Sequence, residues 1–188
     1  MPVFFLNDTG LKYRSTYFGK FPHIWVHGDL CMITTDPPGI AMLGRSDATL
    51  NPNGVRFGSA DIYHIVETFP EVADSVCVGQ VNKAGDERVV LFLKLADGVA
   101  SLSEDLVQRM KRSIREELSP RHVPAVVMAV PDIPYTINGK KVELAIKRII
   151  SYNPVMAAEE NLSSLANPGS LQFFRGSTDL KLWAINEK

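Results

Sequence analysis

Cysteine is scarce in this chain: Cys31 and Cys77 are the two among 188 residues. Two unpatterned cysteines make no disulfide framework, so both are expected as buried or partly buried thiols in a reducing compartment. Charge of one sign is lacking as well, with 20 Lys and Arg against 21 Asp and Glu for a formal net charge of -1. That balance leaves no broad basic footprint for nucleic acid or an anionic membrane surface. No apolar run approaches the roughly 20 residues of a membrane-spanning helix. The opening Met1-Pro-Val-Phe-Phe-Leu6 has no basic start and soon meets Asn7 and Asp8, which makes a poor secretory leader. Internal repeats and low-complexity tracts are missing too. The expectation is a cytosolic chain with neither nucleic acid nor membrane as partner.

The common catalytic signatures are also missing. There is no G-x-x-x-x-G-K-[ST] loop, no G-x-G-x-x-G after a strand, no C-x-x-C pair and no G-x-S-x-G elbow. The histidines are His23, His27, His64 and His122. His23 and His27 are four apart in a strand-like stretch flanked by proline, and with no further ligand beside them no metal site is expected.

What is present is ordinary globular material, 45% hydrophobic and 22% charged, enough for one domain or for one domain plus a piece of another. Residues 1–22 mix Gly, Pro and aromatics without period and read as an extended surface segment. Residues 24–33 read as strand, turn at Gly28-Asp29, strand; a turn at Asp36-Pro-Pro-Gly39 leads to a strand over 40–43. Residues 44–58 lack regular pattern and suit a domain boundary or hinge. Beyond them the pattern becomes α/β. A helix capped by Ser59 carries Ile62, Ile65, Val66 and Phe69 and ends by Pro70. Strands over 72–81 and 88–95 flank a turn over 82–86. A helix capped by Ser101 or Ser103 carries Leu106, Val107, Met110, Ile114 and Leu118. A strand over 123–130, a helix with Val142, Ala145, Ile146, Ile149 and Ile150, and a short helix with an extended tail complete the chain. The fold class is α/β (α+β), a small mixed sheet flanked by helices.

Chemistry is suggested by loops. In Pro131-Asp-Ile-Pro-Tyr-Thr-Ile-Asn-Gly-Lys140, two prolines restrict φ and Asn138-Gly139 permits a tight reversal. Lys140 then stands at the tip of a pre-shaped protrusion, ready for an anion, or is an ordinary turn lysine. Asp29 suits a vicinal diol, or serves its own turn. Arg45, in Gly44-Arg-Ser-Asp47, offers a planar fork to phosphate or to a local carboxylate. Asn53-Gly54-Val55-Arg56 sets an accessible glycine beside a cation, for an anion or to close a turn.

The order of these blocks adds to their content. Trp25-Val-His-Gly-Asp29, Gly44-Arg-Ser-Asp47, Asn51-Pro-Asn-Gly-Val-Arg56 with Asp61-Ile-Tyr63, and Asn138-Gly-Lys140 together resemble the last core motifs of the acyl-adenylate-forming superfamily. Residues 49–63, Tyr13-Arg-Ser-Thr-Tyr-Phe-Gly-Lys-Phe-Pro22 and Ala166-Asn-Pro-Gly-Ser-Leu171 look most like the branch whose acid is acetoacetate. The resemblance covers the whole chain but only the carboxyl-terminal part of such an enzyme. It implies an acid–CoA ligase with acetoacetate, ATP with Mg²⁺, and CoA as substrates and no tightly bound cofactor. Residues 1–43 would be the end of the amino-terminal adenylation domain, 44–58 the hinge and motif loop, and 59–188 the mobile domain. Asp29 would bind the ribose hydroxyls, Arg45 the nucleotide, and Asp47 would be the hinge. Gly54 and Arg56 would line the CoA tunnel, Arg115 would meet the CoA 3′-phosphate, and Lys140, not Lys141, would bridge carboxylate and α-phosphate. His27 stands where many members have threonine, and Asn51 where many have lysine. The phosphate-binding loop and acyl pocket of the family lie in the large domain and are not in this sequence, so the isolated chain is expected to be inactive. A ligase for acetate or propionate, and a non-catalytic interaction module, are the alternatives.

Overall fold

The computed structural model describes residues 9–46, 48–152 and 164–185. Helix α1 (Leu11–Phe18) precedes a hairpin of β1 (Asp29–Thr35) and β2 (Pro38–Arg45). Then come α2 (Ser59–Val66), β3 (Val72–Val81), β4 (Glu87–Leu95), α3 (Glu104–Glu117), β5 (Val126–Ala129), α4 (Glu143–Ile150), α5 (Leu171–Gly176) and α6 (Thr178–Ile185). Strand order in the main sheet is β3-β4-β5, antiparallel between the first two and parallel between the last two. This is the mixed sheet expected.

Period-two alternation decides what the sheet buries. Cys77, Val89, Leu91 and Leu93 face α2 and α3, whose Ile62, Val66, Met110 and Ile114 close that side of the core. Val76, Val78, Val90 and Phe92 face the other way, against Ile146, Ile150, Leu171, Phe174 and Leu180 of the later helices. Each such aliphatic or aromatic side chain contributes about 1.5–3 kcal/mol when fully buried. Phe92 and Phe174 meet edge to face at 4.8 Å. Helix α3 starts where expected: the Ser103 hydroxyl accepts the Leu106 N–H, and Glu104 and Asp105 occupy the positive end of the helix dipole.

Several expectations are corrected. Residues 11–18 are helical, not extended, and are fixed from outside by aromatic contact, with Tyr17 stacked on Trp25 at 3.9 Å. Residues 24–28 are not a strand. Gly28 has φ +85°, which only the left-handed region supplies, so the hairpin turns later, at Asp36-Pro37, and β1 begins at Asp29. Helix α2 has Gly58 in the cap position, and the Ser59 hydroxyl instead donates to Glu143 at 2.7 Å. The tail is two helices, α5 and α6, not a short helix and extended chain. Of the cysteines, Cys77 is buried, but Cys31 is exposed, because the hairpin strand that carries it is largely uncovered.

Candidate functional site

Register places Asp29 directly across from Arg45 in the β1–β2 hairpin. The guanidinium donates to the His27 carbonyl at 2.9 Å and reaches the Asp29 carboxylate at 3.4 Å. His27 Nδ1 also contacts the other Asp29 oxygen. Gly28 is required here twice: its φ is positive, and a Cβ would lie 2.6 Å from Arg45 Nη2. Ser46 closes the corner, donating through its N–H and hydroxyl to the Gly28 carbonyl. A cleft of about 690 Å³ opens beside it, lined among others by Lys20, Trp25, His27 and Arg45. Sequence singled out the two residues separately, and the structure sets them against each other with His27 also engaged on the carboxylate. Asp47 lies outside the described residues.

Gly54 and Arg56 share a second loop. Leu50 and Phe57 exchange backbone hydrogen bonds at 3.0 and 3.1 Å, closing a small ring around Pro52–Gly54. Asn53 and Gly54 turn it through φ +53° and +82°, leaving Gly54 and Arg56 exposed. Phe57 anchors the ring in the core and packs its face at 4.0 Å against His122. Burial there pushes the His122 imidazole below its ordinary pKa, opposed by the Asp61 charge. Arg115 is exposed in the last turn of α3 and makes no hydrogen bond or ion pair to this loop.

The lysine loop leaves the end of β5 and returns to α4. Thr136 N–H donates to the Lys140 carbonyl and Gly139 N–H to the Thr136 carbonyl, both at 2.9 Å, with Gly139 at φ +71°. Ile137 through Lys140 are exposed. Among the described residues the Lys140 ammonium has no hydrogen-bonding or ionic partner. Lys141 is its opposite. Its ammonium reaches Glu67 at 2.5 Å and Asp74 at 3.0 Å, and lies 4.2 Å from the centre of the Tyr63 ring. Tyr135 donates to the same Asp74 at 2.9 Å, and burial first, then that carboxylate, push its phenol up. One lysine fastens the loop and the other is displayed by it.

Sequence reasoning missed the other fastening. Asn167 accepts the Tyr135 N–H at 2.9 Å and donates to the Ile133 carbonyl at 2.8 Å and to Asp132 at 2.5 Å. The local signal was Asn before Pro168, which marks a turn but names no partner. Lys140 makes no hydrogen bond or ion pair to either of the first two groups. Among the described residues no cluster of His, Cys, Asp or Glu could hold a metal ion, and no helix is long and apolar enough to cross a membrane.

Residues 62–140 match the AMP-binding enzyme C-terminal domain. An acetoacetyl-CoA synthetase of Gallus gallus is 54% identical over 96% of this chain and 26% of its own length. An acetoacetyl-coenzyme A synthetase of Rhizobium meliloti is 50% identical over 96% of this chain and 27% of its own. The solved acetoacetyl-CoA synthetase from Streptomyces lividans superposes with a TM-score of 0.80 at 41% identity, covering 93% of this chain and 26% of that one. The chain spans about a quarter of the length of the curated relatives it matches. Along nearly all its length the chain is similar to part of the acetoacetyl-CoA synthetases, and its residues 62–140 match the AMP-binding enzyme C-terminal domain.

Proposed function

We propose that this sequence is part of an ATP-dependent acid–CoA ligase that joins acetoacetate to CoA in the cytosol. In the first step a carboxylate oxygen of acetoacetate attacks the α-phosphorus of ATP, supplied as its magnesium complex. The bond from that phosphorus to the bridging oxygen breaks, and pyrophosphate leaves. In the second step the CoA sulfur, having lost its proton, attacks the acyl carbon. The acyl–oxygen bond to AMP breaks, giving acetoacetyl-CoA and AMP. The observation that carries this reading is the likeness of almost the whole chain to acetoacetyl-CoA synthetases.

Within it, residues 1–43 end a larger adenylation domain, 44–58 form the hinge and motif loop, and 59–188 form the mobile domain. The remainder of the enzyme supplies the phosphate-binding loop and acyl pocket. Lys140 bridges the carboxylate and the α-phosphate, offsetting the repulsion of two anions as they meet. Its exposure, with no ionic partner among the described residues, supports this role, since no carboxylate among them must be displaced first. Asp29 binds the ribose hydroxyls, Arg45 holds the nucleotide, and Asp47 is the hinge. Gly54 and Arg56 line the path of CoA, and Arg115 meets its 3′-phosphate.

The test uses a full-length enzyme that carries this sequence. Lys140→Ala removes one charge-stabilising contact, a loss of about 10²–10³ in rate or roughly 3–4 kcal/mol. Adenylation, read as acetoacetate-dependent ATP–pyrophosphate exchange, falls by that factor, while thioester formation from supplied acetoacetyl-adenylate is retained. Equal loss of both half-reactions would sink the division of labour. A higher kcat/KM for acetate or propionate than for acetoacetate would sink the acyl assignment. Tight binding of CoA or ATP by the 188-residue chain alone, read by titration calorimetry, would favour a binding module instead.

A further inference from the structure

The lysine loop is read on its rising limb by a single carboxamide. Asn167 Oδ1 takes the Tyr135 N–H, while its Nδ2 serves the Ile133 carbonyl and the Asp132 carboxylate. These partners fix the orientation of the side chain, because an N–H can only donate and a carbonyl can only accept. The backbone around Asn167 continues the grip. Ala166 N–H donates to the Tyr135 carbonyl at 2.9 Å, Ile137 N–H donates to the Ser164 carbonyl at 3.0 Å, and Thr136 pairs with Leu165. Asp132 is itself tied to the sheet by Lys94 at 2.8 Å, and that ammonium holds its carboxyl below the usual range. The falling limb is held separately, by Lys141 on Glu67 and Asp74. Between the two anchors only the tip, from Ile137 to Lys140, is exposed.

We propose that Asn167 is a positioning residue for the adenylation half-reaction, fixing the rising limb so that the Lys140 ammonium meets carboxylate and α-phosphate already placed. This rests on the role given to Lys140 above. A reacting group held loosely forfeits the advantage of orientation, and a displacement of about 1 Å is enough for a loss of about 100-fold. The contacts of Asn167 are to backbone and Asp132, so the ammonium keeps its charge in a variant; what changes is where it stands.

In the full-length enzyme, Asn167→Ala lowers kcat for adenylation about 10- to 100-fold, leaves KM for ATP within about threefold, and spares thioester formation from supplied acetoacetyl-adenylate. Hydrogen exchange quickens at residues 135–140 while β3 and β4 stay protected. A second variant pair guards against simple misfolding. Asn167→Asp sets two carboxylates against each other at residue 132 and loses adenylation. Adding Asp132→Asn restores a donor to that contact, while the Ile133 carbonyl stays without its donor, and recovers part of the rate. Unchanged adenylation in Asn167→Ala, equal loss of both half-reactions, or no recovery in the double variant overturns the proposal. Lys140→Ala run alongside separates the two claims. If it abolishes adenylation while Asn167→Ala does not reduce it, only the positioning role fails. If Lys140→Ala adenylates normally, the role of Lys140 fails and the positioning role falls with it.

Discussion

Replacing Tyr63 with phenylalanine removes one oxygen that joins three elements. The phenol sits on α2, donates to Glu143 of α4 at 2.5 Å and accepts the Cys77 N–H of β3 at 3.0 Å. β3 is an edge strand, so this amide relies on a side chain for a partner that a further strand would otherwise give. Burial first, and then the Glu143 charge, raise the Tyr63 pKa, so the phenol remains a donor throughout the neutral range. Its removal leaves a buried amide unsatisfied, at about 1–3 kcal/mol, and takes a charge-assisted bond worth about 1.5–3 kcal/mol. The Ser59 hydroxyl still serves Glu143 at 2.7 Å, so the two losses do not add fully. We expect about 3 kcal/mol, or a fall in Tm of about 6–12 °C for a chain of this size. Urea titration of the 188-residue chain reads it as a lower midpoint at unchanged m. A loss under about 1 kcal/mol would refute the reasoning, because it would mean that repacking or water satisfies the amide as well as the phenol does.

Three further outcomes follow from the same physical terms. Lys141→Ala should destabilise the chain by about 1–2 kcal/mol, between the values of an exposed ion pair and a charged hydrogen bond. Lys140→Ala should stay within about 0.5 kcal/mol in the same urea titration. For His122, burial depresses the folded-state pKa, so the folded form binds fewer protons than the unfolded one. Stability should therefore be unaffected by this group well above its ordinary pKa of about 6.5 and should fall as the pH drops through that value toward the lower folded one. Urea midpoints between pH 8 and 5 check this, and His122→Phe, which keeps an aromatic ring against Phe57, should flatten that part of the slope.

Elements whose own residues determine them were legible in the sequence. Ser103 with Leu106, Met110 and Ile114 specifies the start and buried face of α3, and the turn between β3 and β4 follows from Asn82, whose side chain accepts the Asp86 N–H. The exposure of Lys140 follows from Asn138-Gly139. What escaped depends on distant partners. Helix α1 has no apolar face of its own, and its order comes from Tyr17 against Trp25. Residues 24–28 have strand-like composition, but the left-handed Gly28 and its close Arg45 delay the strand to Asp29. Lys140 and Lys141 look alike as letters; only the folded placement of Glu67 and Asp74 tells which points inward. Asn167 lies more than thirty residues from the amides and carboxylate it holds, beyond any local rule.

The domain-family match ends at Lys140, yet the atoms that secure the rising limb of that residue's loop come from residues 164–167. A ribosome releases the chain amino terminus first, so the sheet and α2 and α3 leave before those atoms do. The rising limb that places Lys140 is thus secured only after residues 164–167 have been made. A message that stops anywhere between residues 140 and 164 leaves a chain that still carries every residue of the family match and has lost the hold on the rising limb of its lysine loop.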